Sequence, residues 1–356
     1  MATKIELKGL DAGSTIEVAG KGVYTLTGAD ETAKKATVAG YGTFDWSANT
    51  ATTTFTADAA LAGDITLVVP SASATLAAAD FSKTTSGITY AGTAGVASIA
   101  GGAGNDVVKV TDTANATLVT LGAGADTLDV AASAKADIVD YNYYEGDVIK
   151  FASAPTTVVL KSDGSLDIDS NVTAAVGKMA VQDNWCAARV NNGTANVDYF
   201  TAVGGNNQNV TKDLSNSAIA NVIDAQGAKT ANITLGKGSD TVSLAAVGTG
   251  ADTIKVGKAS GNNTIENFGA EDVVAIDGIK LVTLGLEKTG STSVKASYGS
   301  TALTFGASVD TDKGSLNLND GSQTHKLAYD LAGNSSLDYK TYSDADWVLG
   351  TAGVAG

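Results

Sequence analysis

The chain has 356 residues, with 38 acidic against 23 basic side chains, a formal net charge of −15 and a pI near 4.4. This balance excludes a nucleic-acid partner, because so few basic residues cannot form a patch that neutralises phosphates. The single histidine, His325, excludes metal sites that need two imidazoles. Aromatic residues are only 6% of the chain and glycines number 41, which favours a thin all-β roll layered from small and β-branched side chains.

Residues 1–78 alternate short apolar runs with Gly and Ala-Asp turns. The pattern predicts strands at residues 4–10, 15–18, 23–26, 36–38, 52–56 and 65–69. Such strands suit either a β-sandwich or the leading coils of a solenoid. The first residues lack the apolar core of a signal peptide, which taken alone predicts a cytoplasmic protein.

A pentapeptide Gly-x-Gly-x-Asp occurs four times, beginning at Gly102, Gly122, Gly236 and Gly248. Two positions after each aspartate stands an aliphatic side chain: Val108, Leu128, Val242 and Ile254. Paired glycines allow backbone conformations that a Cβ forbids, and the aspartate adds a hard anionic oxygen. Each copy therefore predicts a calcium-binding turn followed by a short strand with one inward apolar residue.

The first copy, Gly101-Gly102-Ala103-Gly104-Asn105-Asp106-Val107-Val108, matches a known secreted-protein repeat in full. The other copies have Leu121, Leu235 and Val247 in place of the first glycine. The pattern resembles the RTX (repeats-in-toxin, haemolysin-type) calcium-binding repeat of bacterial secreted proteins. The resemblance implies a parallel β-roll and type I secretion by an uncleaved carboxy-terminal signal, so the expected location becomes extracellular or the bacterial cell surface.

Acidic and amide side chains recur at a near-constant step even where the glycines are lost. In the first block they are Asp106, Asn115, Asp126, Asp137 and Asp147, at successive steps of 9, 11, 11 and 10. Turns on alternate sides of a flattened coil then stack in pairs, Asp106 on Asp126 and Asp252 on Asp272, with the same separation of 20 positions in each pair. An ideal nonapeptide roll repeats about every 18 positions, so the spacing predicts a wider, degenerate β-roll.

The two repeat-bearing stretches resemble each other over about 130 residues, which predicts an internal duplication. Asp80-Phe81-Ser82 opens the first stretch and Asp213-Leu214-Ser215 opens the second. Similar segments close them: Ile138-Val139-Asp140-Tyr141 before Gly146-Asp147, and Ile265-Glu266-Asn267-Phe268 before Glu271-Asp272. The predicted regions are an N-terminal β-rich region (1–78), a first repeat block (79–200), a second repeat block (201–310) and a C-terminal β region with a candidate secretion signal (311–356).

The candidate calcium ligands are the glycines and aspartates of the four turns, together with the aspartates of the two closing segments. They are Gly102, Gly104, Asp106, Gly122, Gly124, Asp126, Asp147, Gly236, Gly238, Asp240, Gly248, Gly250, Asp252 and Asp272. Carboxylate and carbonyl oxygens are the ligands that calcium prefers.

Residues 174–190 are the one stretch whose apolar spacing allows a short helix. Cys186, the only cysteine, excludes an intramolecular disulfide and is predicted to be a small buried residue beside Trp185. A secreted protein without disulfides needs another stabilising element, and calcium is the expected one.

No catalytic constellation is evident. The chain lacks a Gly-x-Ser-x-Gly elbow and a phosphate-binding loop, and His325 lies in a polar segment expected to be a surface strand. No apolar stretch is long enough to span a membrane.

We therefore expect a non-enzymatic, secreted structural protein that assembles with itself into a surface layer, filament or matrix. A calcium-stabilised adhesin that binds cell-surface glycans or proteins is the alternative, and a secreted hydrolase is a third. Open solenoid ends would provide the contacts between copies.

Overall fold

The computed structural model describes residues 3–6, 15–27, 34–45, 53–57, 65–68, 76–91, 96–175, 181–203, 208–246, 250–257, 260–276, 284–289, 293–298, 300–306, 313–319, 324–330 and 336–338. Nearly all of them lie in strands and the tight turns between strands, so the predicted all-β class is confirmed. Across this described part, no helix has the length and apolarity needed to cross a bilayer. The chain divides into two compact units, one of residues 1–180 and 187–195 and the other of residues 181–186 and 196–356.

The first unit is built from short strands in chain order. They are β1 (Thr3–Glu6), β2 (Thr15–Thr27), β3 (Lys34–Asp45), β4 (Thr53–Ala57), β5 (Ile65–Val68), β6 (Leu76–Asp80), β7 (Ile88–Ala91), β8 (Ser98–Ala100), β9 (Val107–Val110), β10 (Thr117–Thr120), β11 (Thr127–Val130), β12 (Ala136–Ile138), β13 (Val148–Phe151), β14 (Val158–Leu160), β15 (Ser165–Ile168) and β16 (Val172–Ala175). A single 3-10 turn, Tyr143–Glu145, lies between β12 and β13. A further strand, β18 (Trp185–Asn191), ends in this unit.

The strands of the first unit wind as a parallel solenoid. From β4 to β11 each strand pairs in parallel with the second strand after it, so that two sheets grow side by side. Val107 is the register partner of Thr127, and Val108 that of Leu128, which is the separation predicted for Asp106 and Asp126. The predicted β-roll and its coil length are therefore confirmed.

The leading strands belong to the same winding. Parallel pairs join β1 to β2 and β2 to β3, and the two halves of β3 pair with β4 and β5. The predicted strands at 15–18 and 23–26 are one long strand, β2, with an irregularity between Glu17 and Lys21. Residues 1–78 are predicted to form either a β-sandwich or the leading coils of a solenoid. Their described strands form the leading coils.

Alternate residues of each strand point inward and stack on their equivalents in the next coil. In one sheet Tyr90, Val108, Leu128 and Ile149 are in register, and none is more than 1% exposed. Burying one such side chain contributes about 1.5–3 kcal/mol. The aliphatic residue two positions after each repeat aspartate is buried in all four copies, as predicted, at Val108, Leu128, Val242 and Ile254.

An antiparallel hairpin interrupts the first winding after β13. β14 pairs antiparallel with β15 and β15 with β16, and β16 returns to a parallel pairing with β12. The winding closes on β18, where Val190 is in register with Ile149.

The prediction of a short helix at residues 174–190 is wrong for the residues that the structure describes there, which form strands and a tight turn. Residues 176–180 lie outside the described range. The physical reason is burial on both faces. Trp185, Cys186, Ala187 and Ala188 are each 0% exposed, so the run has no polar stripe of the kind an amphipathic helix needs. The predicted burial of Cys186 beside Trp185 is confirmed.

The second unit repeats this architecture. Its strands are β17 (Val181–Gln182), β19 (Asn196–Ala202), β20 (Asn209–Asp213), β21 (Ala220–Asp224), β22 (Thr230–Thr234), β23 (Thr241–Ser243), β24 (Thr253–Val256), β25 (Asn262–Glu266), β26 (Val273–Ile276), β27 (Leu284–Thr289), β28 (Ser293–Tyr298), β29 (Thr301–Phe305), β30 (Lys313–Asn319), β31 (Thr324–Asp330) and β32 (Ser336–Asp338). One parallel sheet runs β19, β21, β23, β25 and β29, and the other runs β20, β22, β24, β26 and β30. Antiparallel strands end both sheets, with β28, β27 and β32 on the first and β31 on the second.

Candidate functional site: the buried aspartate ladders

Each described Gly-x-Gly-x-Asp turn crosses from one sheet to the other, and its aspartate directly precedes a strand. Because the first residue of that strand points outward, the aspartate before it points into the roll. All six predicted aspartates are at most 3% exposed: Asp106, Asp126, Asp147, Asp240, Asp252 and Asp272. Buried carboxylates need hydrogen-bond donors or counter-charges, since burial disfavours the ionised form.

In the first unit three aspartates stack as a ladder. Oδ1 of Asp106 accepts the Ile88 N–H at 2.9 Å, Oδ1 of Asp126 accepts the Asp106 N–H at 2.7 Å, and Oδ1 of Asp147 accepts the Asp126 N–H at 3.0 Å. Each carboxylate thus caps the start of a strand in the coil before its own. The predicted stacking of Asp106 on Asp126 is confirmed.

In Asp106 and Asp147 the second carboxylate oxygen accepts a hydrogen bond from a backbone N–H of the same turn. Oδ2 of Asp106 accepts the Gly102 N–H at 2.8 Å, and Oδ2 of Asp147 accepts the Asn142 N–H at 2.7 Å. Both oxygens of these two aspartates are therefore satisfied by backbone donors.

Asp126 departs from this arrangement. Its Oδ2 is buried and has no hydrogen-bond partner. The Gly122 N–H, which corresponds to the Gly102 N–H of the previous coil, donates instead to Asp140 Oδ2 at 2.9 Å. Asp140 Oδ1 also accepts the Leu121 N–H at 2.7 Å, and Glu145 Oε2 lies 3.3 Å from the Gly124 nitrogen.

The pKa values of all three ladder aspartates are raised, chiefly by burial. Burial is the largest cause of the raised pKa of Asp126, which reaches about 7, and the charges of Asp147, Asp106 and Asp140 add to it. The pKa of Asp147 rises to about 6, again chiefly through burial, against the amide bonds from Asn142 and Asp126. Burial also raises the pKa of Asp106, while its two amide donors lower it.

The ladder at Asp240 in the second unit is arranged differently, with one acid between two amide side chains, those of Asn221 and Asn263. Oδ1 of Asp240 accepts both the backbone N–H of Asn221 at 3.0 Å and its side-chain Nδ2 at 2.7 Å. The Asp240 N–H donates to Oδ1 of Asn263 at 2.9 Å, and the Gly236 N–H to Asp240 Oδ2 at 3.2 Å. Burial raises the pKa of Asp240 and the Asn221 and Gly236 bonds lower it, with no neighbouring carboxylate among the causes.

The other sheet of the second unit carries an acid pair. Oδ1 of Asp252 accepts the Ala231 N–H at 2.7 Å, and the Asp252 N–H donates to Oδ1 of Asp272 at 2.8 Å, as the predicted pairing requires. Burial first, and then the charges of Asp272 and Glu271, raise the pKa of Asp252 to about 6. The pKa of Asp272 is also raised, mainly by burial.

The glycines of the turns lie where successive coils touch. A Cβ added at any described repeat glycine would come within 2.6 Å of an atom in the preceding coil; these are Gly102, Gly104, Gly122, Gly124, Gly236, Gly238 and Gly250. Gly248 lies outside the described residues. Gly122 and Gly124 also have positive φ angles, 98° and 136°. At these two positions a side chain is therefore excluded by the backbone conformation as well as by the lack of space.

Two residues of the predicted periodic series do not join a ladder. Asn115 and Asp137 are both exposed. Near Asn115 the buried polar residue is Thr117, whose Oγ1 donates to the Val96 carbonyl at 3.1 Å. A near-constant spacing therefore identified these two positions without identifying which way they point.

The sequence motifs missed two residues that shape the site, Asp140 and Asn221. Asn263 is a member of the series predicted for the second block, Asp240, Asp252, Asn263 and Asp272, at steps of 12, 11 and 9. Asp140 and Asn221 contact the ladders through backbone or amide groups and stand outside any Gly-x-Gly-x-Asp copy. The signal that could have found Asp140 was its place in the closing segment, where the second copy has Asn267.

The predicted duplication is supported by equivalent hydrogen bonds in the two units. The Phe81 N–H donates to the Ala100 carbonyl, and the Leu214 N–H, at the matching position of the second stretch, donates to the Thr234 carbonyl. An Asx turn also opens each of the two stretches. The Ser82 N–H donates to Asp80 Oδ1 at 3.0 Å, and the Ser215 N–H donates to Asp213 Oδ1 at 2.9 Å.

Calcium takes six to eight hard oxygen ligands at about 2.3–2.6 Å. In the described part of the chain no three acidic, histidine or cysteine side chains form a ready metal cluster, so a cation there also has to use backbone carbonyls of the turns. Asp126 fits such an ion, since its Oδ2 is a buried anionic oxygen without a donor. Asp106 fits less well, because amides occupy both of its oxygens.

The fold and these turns define a parallel β-solenoid with internal carboxylate ladders. No family model, curated protein or solved structure matches the chain. The likeness to RTX repeats therefore rests on the motif residues themselves and stays a prediction.

Proposed function

We propose that this chain is a secreted, calcium-binding structural protein that assembles with itself into a surface layer, filament or extracellular matrix. The observation that carries the proposal is the buried acid-on-acid ladder of Asp106, Asp126 and Asp147. Stacked buried carboxylates are unfavourable unless protons or cations neutralise them.

Calcium would supply that neutralisation. Asp126, with carbonyl oxygens of the neighbouring turns, would hold the ion, and the bound charge would offset the repulsion among the ladder carboxylates. Where calcium is scarce, the ladder opposes closure of the coils, which suits a chain exported before it folds. Where calcium is plentiful, binding free energy becomes folding free energy.

Self-association is supported by an outer face of the first unit. Leu118, Val139 and Val159 are 45%, 47% and 47% exposed. The register places Leu118 beside Asp137, and Val159 beside Asp167, on one continuous sheet. Exposed large apolar side chains on a sheet face are suitable contacts for a second copy.

A calcium titration of chelator-treated protein tests both parts of the proposal. Far-ultraviolet circular dichroism follows folding and light scattering follows assembly on the same sample. A gain of β signal with growth of large particles is the expected result. A β signal without particles would favour a monomeric binding module, and no response to calcium would overturn the proposal.

A further inference from the structure

We infer that the Asp126 turn of the first unit binds a cation, and that the Asp240 turn of the second unit works without one. The Asp126 turn is defined as Leu121 to Asp126 with Asp140 and Glu145. The inference rests on the proposed function and specifies which copy of the motif performs it.

The first argument is an exchange of hydrogen-bond donors. In the turns at Asp106 and Asp240 the glycine N–H at the first motif position donates to the motif aspartate of the same turn. At the Asp126 turn that N–H donates to Asp140 instead, at 2.9 Å. A fully buried carboxylate oxygen is left without a donor, and an anionic oxygen of this kind is a ligand that a hard cation prefers.

The second argument concerns charge. Asp126 has an aspartate above it and another below it, since its N–H donates to Asp147 and its Oδ1 accepts from Asp106. Asp140 and Glu145 add two further carboxylates on the amides of the same turn. Negative charge concentrated around a buried anionic oxygen favours a divalent cation.

The third argument is that amides flank Asp240 in its ladder, whereas acids flank Asp126 in the first ladder. The residue stacked next to Asp240 is Asn263, whereas the residue stacked next to Asp106 is Asp126. Asn221 also donates its side-chain amide to Asp240.

In the Asp240 ladder these amides avoid stacked charges, and the buried oxygen left there without a hydrogen-bond partner is the neutral Oδ1 of Asn221. An amide side chain both donates and accepts, so an alternation of Asp and Asn satisfies neighbouring carboxylates without stacking like charges. The glycine spacing is retained in both copies because it serves the contact between coils, and so the motif alone does not report a bound ion.

Matched asparagine variants of the full chain test the inference. Asp126→Asn removes the orphaned carboxylate, and Asp240→Asn removes a carboxylate whose partners are amides. Calcium chloride is titrated calorimetrically into chelator-treated parent and variants, and thermal melting is recorded with chelator and with calcium. Asp140→Asn provides a second variant that leaves both ladder aspartates in place.

We expect Asp126→Asn to lower calcium affinity by about tenfold or more, and Asp140→Asn to lower it as well, whereas Asp240→Asn changes it by less than about twofold. In chelator, Asp126→Asn should melt at or above the parent temperature, because it relieves the stacked charges. Asp240→Asn should melt lower with and without calcium, because an amide NH2 replaces the Oδ2 that accepts the Gly236 N–H.

Equal loss of affinity in the Asp126 and Asp240 variants would overturn the inference while leaving the calcium function intact. Undiminished binding in the Asp126 variant would overturn it in the same way. If the parent binds no calcium, both the proposed function and the inference fail. A higher melting temperature of the Asp126 variant in chelator would then still identify the charge conflict in the ladder.

Discussion

The backbone N–H of Asp106 donates to Oδ1 of Asp126 across 2.7 Å, so the side chain of one repeat caps the strand of the repeat before it. This bond joins two residues 20 positions apart. Packing of one coil on the next therefore depends on whether the buried carboxylate is ionised, protonated or bound to a cation. It makes the repeat motif a long-range contact as well as a local turn. The stability of the roll should therefore respond to changes at single aspartates.

Replacing two ladder members, Asp106→Ala with Asp126→Ala, should lower calcium affinity and thermal stability together. The double variant leaves the N–H groups of Ile88, Gly102 and Asp106 without their carboxylate partners. Each buried unsatisfied donor costs about 1–3 kcal/mol. Chemical denaturation and calcium titration measure the two effects.

Asp129→Ala is the control for that variant. Asp129 lies on the outer face of β11, and its Oδ2 is 3.9 Å from Lys150 Nζ, so the change should stay within about 0.5 kcal/mol. A double variant as stable and as calcium-responsive as this control would contradict the role of the ladder.

The metal-free protein should lose stability as pH rises from about 4 to about 7. The pKa values of Asp126, Asp147 and Asp252 are raised to about 7, about 6 and about 6, so the folded chain holds protons that the unfolded chain has released. This contribution is fully present below the unfolded pKa near 3.8 and is lost as pH passes the folded values. For Asp126 alone the upper bound is about 4 kcal/mol.

With saturating calcium, stability should instead rise with pH over the same range. Bound calcium requires the ionised carboxylate, and protons compete with calcium for it. Urea denaturation at a series of pH values, with chelator and with calcium, measures both slopes. Parallel slopes in the two conditions would argue against a cation on the ladder.

Gly122→Ala should destabilise the first unit in all conditions. A Cβ there would lie 1.9 Å from the Gly102 carbonyl oxygen, and the φ of 98° is one that side chains rarely adopt. Strain at such a position costs about 1–3 kcal/mol before the clash is added. Gly257→Ala is the matched control, because nothing lies within 4 Å of the Cβ it would introduce.

Asn263→Asp should create in the Asp240 ladder the stacked charges that the ladder of Asp106, Asp126 and Asp147 contains. The new carboxylate can still accept the Asp240 N–H, but it loses the Nδ2 bond to the Gly261 carbonyl and places a second charge beside Asp240. We expect a lower melting temperature in chelator and a larger gain from calcium than the parent shows. Melting temperatures with chelator and with calcium provide the comparison; an unchanged calcium response would show that stacked charge is insufficient to recruit the ion.

Much of the fold could be predicted from the pattern of residues alone. Inward apolar positions such as Val108 and Leu128 follow from the period-two alternation, which is local. The stacking of Asp106 on Asp126 follows from counting along the chain, because register in a solenoid equals sequence separation per coil. The strand Trp185–Asn191 was not predictable, since a run that is buried on both faces has no periodicity to distinguish strand from helix.

The sequence by itself determined the all-β class, the coil length and the positions of the buried aspartates, because these depend on spacing and on which residues precede a strand. Only the tertiary structure decided which carboxylates are satisfied. Asp140 reaches the Gly122 amide from the following coil and leaves Asp126 with an orphaned oxygen, while Asn221 and the Gly236 N–H satisfy the carboxylate of Asp240. Hydrogen-bond partners between coils depend on how the turns pack, and four copies of one motif therefore acquire different chemistry.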